Sequence, residues 1–137
     1  MNALFDTCII IDAMQSRDGF SEDAQELFRL LAEERITGYI TAKSFTDIYY
    51  IMHSYFHDKE KTLHIMQQLL FIFKIADTSA SDVILAMDSR INDYEDAVQA
   101  ETARRFRLDM IITRDNHFKQ SYITAYSPSE AIKLINN

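Results

Sequence analysis

Two short apolar runs near opposite ends of the chain each lead into an aspartate. Ala3-Leu4-Phe5 ends at Asp6, and Met110-Ile111-Ile112 passes through Thr113-Arg114 to Asp115. Runs this short and this apolar suit buried parallel strands. In open α/β sheets, ligands bind outside the carboxyl ends of the strands, so an acid placed there is where chemistry is expected. Two such acids, distant in sequence and able to meet in space, suggest a shared cation.

The intervening sequence reads as alternating helices and strands. Cys8 to Met14 begins a short helix. Ser21 reads as an N-cap, followed by Glu22 and Asp23 in a first turn that favours acids. Leu27, Leu30 and Leu31 continue that helix toward Glu34. Gly38 then acts as a breaker before a strand at Tyr39-Ile40-Thr41. From Lys43 the helical period returns, with Phe45, Ile48, Tyr49, Met52, Tyr55 and Phe56 as one apolar stripe. After a polar break at His57 to Glu60, Leu63, Met66, Leu69, Leu70 and Phe73 form a second stripe, which makes a helical hairpin. Lys74 to Ala76 reads as a third strand, and Ser79 to Asp82 as a capping box with Asp in place of Glu. Asn92 to Asp96 opens a helix that runs to Arg107. Ile123 to Tyr126 is the last strand, and Ser127-Pro128-Ser129-Glu130 starts the final helix. The alternation implies an α/β fold with a mainly parallel sheet.

Bulk properties narrow the class. The 137 residues fit a single domain, 1–137, and 47% hydrophobic residues supply a compact core. Two glycines and one proline argue against flexible linkers and a turn-rich all-β plan. Cys8 stands alone, so no internal disulfide forms, which suits a reducing compartment. No basic leader and no long apolar run is present, so a cytoplasmic protein away from the membrane is expected. A net charge of −7 argues against holding nucleic acid by a bulk positive field. Clustered carboxylates that hold a divalent metal remain compatible with that charge.

Asp6 and Asp115 sit at strand ends, and Asp47 and Asp96 near helix N-termini. Asp93, one turn before Asp96, can point the same way or cap the helix. Strand C-termini and following helix N-termini share one sheet edge, so four acids from four segments can converge there. Such a cluster repels itself unless a cation neutralises it or some of the acids stay protonated. Oxygen-only ligation suits Mg²⁺ or Mn²⁺, and phosphodiester hydrolysis is chemistry those ions serve.

Three motifs carry a resemblance to a known family. They are Phe5-Asp6-Thr7-Cys8-Ile9-Ile10-Ile11-Asp12, then Tyr94-Glu95-Asp96-Ala97-Val98-Gln99-Ala100, then Ile111-Ile112-Thr113-Arg114-Asp115-Asn116-His117-Phe118. In this order the chain resembles the PIN domain, the metal-dependent ribonuclease fold that includes the VapC toxins of bacterial toxin–antitoxin pairs. The resemblance implies a three-layer α/β/α sandwich around four to five strands. It implies an endoribonuclease acting on an RNA substrate, with Asp6, Asp47, Asp96 and Asp115 at Mg²⁺ or Mn²⁺. Asp93 and Thr113 are additional metal-site candidates, Thr113 matching a hydroxyl residue beside the metal in PIN domains. It also implies a homodimer held by a small antitoxin, with the exposed part of the Lys43–Phe73 hairpin as a candidate surface for either contact. Three positions depart from the family pattern. Asp47 stands where Glu is usual, Cys8 where Asn or Ser is frequent, and Asn116-His117 where another acid is common.

Those departures motivate a rival reading, a PIN-like module that binds RNA or protein but cuts weakly or not at all. A phosphatase or receiver reading fails on its own signatures, since Cys8 stands where a phosphatase of the haloacid-dehalogenase type needs a second Asp. His53 and His57 have zinc-compatible spacing, but HSYFH lacks the Glu of the zinc-protease signature. Cys8 reads as a small buried side chain. Tyr49 fits the core stripe, while Tyr50 can offer a face to an RNA base. Arg104, Arg105, Arg107, Arg114 and Lys119 form the main basic cluster, which serves either phosphate contact or a solvated face with Arg105 near Glu101.

Overall fold

The computed structural model describes residues 1–115, 118 and 121–137; Asn116, His117 and Lys119 lie outside them. Among the described residues, five strands, β1 (Asn2–Phe5), β2 (Thr37–Thr41), β3 (Phe73–Ala76), β4 (Met110–Ile112) and β5 (Ala125–Tyr126), form one sheet in the order β3-β2-β1-β4-β5. Every pairing is parallel. The helices are α1 (Thr7–Met14), α2 (Ser21–Ala32), α3 (Ala42–Phe56), α4 (Lys59–Ile72), α5 (Ala80–Leu85), α6 (Tyr94–Arg105) and α7 (Pro128–Asn136).

The register of the two acid-bearing strands explains the layers. Ala3, Leu4 and Phe5 face Met110, Ile111 and Ile112 in turn. Side chains alternate faces along a strand. Leu4 and Ile111 therefore enter one core with Ala97, Ala100 and Ala103 of α6. Ala3, Phe5, Met110 and Ile112 enter the other, with Ile9 and Ile10 of α1, Leu27 and Leu30 of α2, Ile48 of α3 and Ala131 of α7. The result is the expected α/β/α sandwich, with β1 buried at its centre. Alanine at three positions of α6 lets that helix lie close to the sheet.

Strand order also fixes where ligands meet the sheet. The chain steps outward from β1 to β2 to β3, then returns to the other side of β1 with β4. The switch point thus lies between β1 and β4, and the crevice there is the general binding place of such sheets. Asp6 directly follows β1, and its N–H donates to the Ile112 carbonyl of β4 (3.0 Å).

Several local expectations need correction. Ser21 does not cap α2, because Phe20 holds the cap position and makes no side-chain bond. Gly38 does not break that helix. α2 has already ended at Ala32, with Glu34 taking a positive φ of 58°, and Gly38 lies inside β2. The reason for glycine is space: a Cβ there would stand 2.7 Å from Leu31 Cδ2 and 2.8 Å from Phe73 Cδ1. Phe73 is fixed by edge contacts with Phe5 (5.1 Å) and Phe28 (5.5 Å), so it has little freedom to yield. In α4, Leu63 and Leu70 are exposed, and the buried face is Thr62, Met66 and Leu69. Thr62 tolerates burial because its hydroxyl donates to the Asp58 carbonyl (2.7 Å). The last strand is only Ala125–Tyr126, shorter than the apolar run suggests.

The capping box before α5 is present with both bonds. Its Asp82 does more than cap. Buried to 1% exposure, it accepts from Thr102 Oγ1 (3.0 Å) and from Arg105 Nε and Nη2, which locks α5 onto α6. Arg105 is therefore committed to Asp82 and not to Glu101. Burial pushes the Asp82 carboxyl up, but hydrogen bonds from Arg105, Ser79 and Thr102 outweigh it and hold it below its ordinary 3.8. A depressed folded value stabilises the fold above the unfolded value and is lost as pH falls through the folded one. Acid titration followed by circular dichroism should therefore show a stability loss setting in below about pH 4, and Asp82→Asn should remove that component.

Candidate active site

Three helix starts meet the carboxyl edge of the sheet. α1 begins at Asp6, whose Oδ1 caps it by accepting from the Thr7 N–H (2.8 Å). α3 follows β2 without a linker, Thr41 Oγ1 accepting from the Ser44 N–H (3.1 Å). α6 is capped by Asp93, which accepts from the Asp96 N–H (3.0 Å). Helix N-termini carry partial positive charge, which favours nearby carboxylates by about 0.3–1 kcal/mol each. Asp6 at a cap and Asp96 in a first turn both benefit.

Two adjoining cavities open at this edge. Asp6, Thr7, Ile51 and Asp96 line both of them. One extends past Asp115, Arg114 and Arg17, and the other past Asp47, Lys43, Glu95, Tyr50 and Gln99. All four acids anticipated from the sequence thus border the same depression. Asp6 and Asp96 form its shared wall and are buried, Asp115 flanks one end, and half-buried Asp47 the other. Asp93 lines neither cavity; its carboxylate is spent on the α6 cap.

Among the described residues, four donors hold Asp6. Its Oδ1 accepts from Thr7 and from Gln99 Nε2 (3.4 Å), and its Oδ2 from Thr113 Oγ1 (2.7 Å) and Cys8 Sγ (3.6 Å). Thr113 Oγ1 in turn accepts from the Asp115 N–H (2.9 Å), so one hydroxyl links the backbone at the fourth acid to the first acid. Thr113, singled out in the sequence as a hydroxyl beside a metal, lies against Asp6. Burial first, and the Asp6 charge second, push the Cys8 thiol up to about 11, so it remains a protonated donor rather than a nucleophile.

Asp47 has a competing partner. Lys43, one turn before it, lies 2.7 Å from its Oδ2 and 3.2 Å from Glu95 Oε2, bridging α3 to α6. Hydrogen bonding to Asp47 raises the Lys43 pKa, so the lysine stays charged.

The walls of the two cavities include the carboxylates of Asp6, Asp47, Asp96 and Asp115 and the Gln99 amide, oxygen donors that suit a hard divalent cation. Gln99 adds to this. It is nearly buried, and its Oε1 has no partner among the described residues while its Nε2 donates to Asp6. A buried orphan acceptor at such a place is costly unless a donor or cation meets it. Among the described residues, however, no group of three or more His, Cys, Asp or Glu side chains is arranged to hold an ion as it stands. The donor chemistry fits a metal, and the present side-chain positions keep the acids on protein partners.

Two features escaped sequence reasoning. Gln99 gave no signal, because a glutamine in a helix is ordinarily solvated. The second is an ion pair behind the site. Asp12, 1% exposed, accepts from Arg114 Nε at 2.6 Å and Nη2 at 3.0 Å, and the Arg114 guanidinium stacks over Phe20 (4.1 Å). Arg114 is therefore not part of a solvated basic cluster. Arg104 stacks on Tyr122, and Arg107 takes a positive φ of 55° at the close of α6. The zinc reading gains nothing, since His53 stacks on Tyr49 and His57 sits in the left-handed cap of α3.

Comparison with known proteins adds a family to this geometry. The family model described as the PIN domain matches residues 2–117. Similar solved structures include VapBC2 of Rickettsia felis bound to a promoter DNA fragment, with a TM-score of 0.69, 19% identity, and coverage of 93% of this chain and 98% of that one. A toxin–antitoxin complex of Klebsiella pneumoniae has a TM-score of 0.65, 24% identity, and coverage of 92% and 97%. VapC20 of Mycobacterium tuberculosis, a sarcin–ricin loop cleaving toxin, has a TM-score of 0.65, 13% identity, and coverage of 85% and 92%. No curated protein matches the chain. Among the described residues, no helix is long and apolar enough to cross a membrane.

Proposed function

The chain belongs to the PIN-domain family, and from that membership we propose that it is a Mg²⁺- or Mn²⁺-dependent endoribonuclease, the toxin of a toxin–antitoxin pair. The observation that carries the proposal is the meeting of Asp6, Asp96, Asp47 and Asp115 around two adjoining cavities at the sheet's switch point. Asp6, Asp96 and Asp115 would hold the cation, with Asp47 joining them. A divalent cation, when bound, neutralises charge at the RNA phosphate and lowers the pKa of attacking water.

The chain's own residues do the positioning. Thr113 and Thr7 fix the two oxygens of Asp6, and Thr113 also anchors the backbone before the Asp115 side chain. Gln99 steadies Asp6 from α6 through its Nε2. Exposed Tyr50, on the rim beside Asp47, offers a face on which a base can stack. A small antitoxin partner and a second copy of the chain belong to the same proposal, with exposed Tyr55, Leu63, Leu70 and Phe71 of the α3–α4 hairpin as the contact surface.

One observation favours a second reading. Lys43 neutralises Asp47, as it would in a module that keeps the fold and binds RNA or protein without cutting. Incubating the purified chain with single-stranded RNA separates the two readings. The nuclease reading expects internal cleavage with Mn²⁺ and none with EDTA. Intact RNA under both conditions would favour the binding module.

A further inference from the structure

The carboxylates of these cavities repel the RNA phosphates on either side of one held at the acidic centre, and among the described lining residues three cations can offset that: Lys43, Arg114 and Arg17. Lys43 is engaged with Asp47 and Glu95. Arg114 is engaged bidentately with Asp12 and sandwiched on Phe20. Arg17 differs from both. Its guanidinium stands 3.6 Å from Asp12 Oδ1, an oxygen that Arg114 already serves at 3.0 Å, and among the described residues its other side-chain bond is to Gln15 (3.3 Å). Its side chain is 43% exposed and lines the cavity that holds Asp6, Asp96 and Asp115.

The backbone under Arg17 is nevertheless well anchored. Its N–H donates to the Asp12 carbonyl (3.3 Å), and its own carbonyl accepts from the N–H groups of Phe20 (3.1 Å) and Ser21 (2.8 Å), where α2 begins. A fixed stem with a weakly committed guanidinium is the arrangement that lets a planar donor fork turn onto a phosphate. The half-satisfied contact to Asp12 gives it a resting place when no phosphate is near.

We propose that Arg17 is a substrate-positioning residue, whose guanidinium leaves Asp12 to grip a backbone phosphate of the RNA next to the acidic centre. The proposal rests on the nuclease reading for its substrate class. It predicts a direct electrostatic contact, so the effect appears in binding without any cleavage. Each phosphate neutralised on a single strand contributes about 0.7 to the slope of log affinity against log salt.

The test is fluorescence anisotropy of a labelled single-stranded oligoribonucleotide in EDTA across a salt series, with wild type, Arg17→Gln and Arg17→Lys. Arg17→Gln is expected to bind about tenfold more weakly at low salt, with the slope reduced by about 0.7, while Arg17→Lys keeps the slope. The melting temperature of Arg17→Gln should match wild type, since Arg114 keeps Asp12 paired. In the Mn²⁺ cleavage assay Arg17→Gln should raise KM about tenfold and leave kcat within about twofold. An unchanged salt slope in Arg17→Gln overturns the proposal. So does a wild-type chain with no salt-dependent RNA binding, or a loss of affinity matched by a lowered melting temperature. A chain that shows the Arg17-dependent slope in EDTA but never cuts would overturn the nuclease reading and leave this contact standing.

Discussion

Asp6→Asn is expected to cut RNA about 10³-fold more slowly than wild type in Mn²⁺, a loss of about 4 kcal/mol of transition-state stabilisation. Asp6 lines both cavities and lies at the switch point between β1 and β4, so no neighbouring acid can take its place. The fold should survive. An asparagine oxygen can still accept from the Thr7 N–H, and its amide can donate to Thr113 Oγ1, a hydroxyl with acceptor capacity beyond the Asp115 N–H. Single-turnover cleavage rates and thermal melts of the two proteins are the check. Cleavage at the wild-type rate would remove Asp6 from the chemistry.

The second large effect falls on stability. Arg114→Met leaves the buried carboxylate of Asp12 without its bidentate partner, and stripping one member from a buried pair costs about 3–5 kcal/mol. Arg17, 3.6 Å away, can close on Asp12 in compensation. The expectation is therefore the lower end, about 3 kcal/mol, or a fall in melting temperature of roughly 10 °C. The double variant Asp12→Leu with Arg114→Met should recover most of it, because replacing both partners removes the stranded charge. Activity should fall in the single variant as well, since Arg114 ties the segment carrying Asp115 to α1. A melting temperature within about 2 °C of wild type in Arg114→Met would show that the pair contributes little.

How far the sequence revealed these features follows from the range of the interactions behind them. Asp6, Asp96 and Asp115 were legible because each is announced locally, by an apolar strand before it or a helix start around it. The capping boxes at Ser79 and Ser127 were legible for the same reason, as a cap and its acid lie three residues apart. Gly38 was misread because a glycine after a helix ordinarily ends it, whereas here Phe73 from a distant strand demands the missing Cβ. The α4 stripe was misread at Leu63 and Leu70 because apolar residues alone were counted, and Thr62 buries its face by donating to its own helix. Arg105 looked like the partner of Glu101, one turn away, until α5 brought Asp82 across to it. The Asp12–Arg114 pair spans 102 positions and the Gln99–Asp6 contact 93, separations that no spacing rule reaches.

The same distinction explains Asp47. Its position was legible from the start of α3, and its pairing with Lys43, four residues earlier, follows helical spacing; only the reach of that lysine to Glu95 on α6 lies beyond a spacing rule. A metal joined by Asp47 would have to displace that lysine. A cation of charge +2 facing several carboxylates competes strongly with one exposed ammonium, whose ion pair is worth at most about 1 kcal/mol. Metal binding should therefore prevail over the Lys43 contact.

Calorimetric titration of Mn²⁺ into the wild-type chain and into Asp6→Asn tests the central claim most directly. A saturable heat of binding is expected for wild type, abolished or weakened at least tenfold in Asp6→Asn, with both proteins folded. Absence of binding to wild type at millimolar Mn²⁺, or equal binding to both, would contradict it.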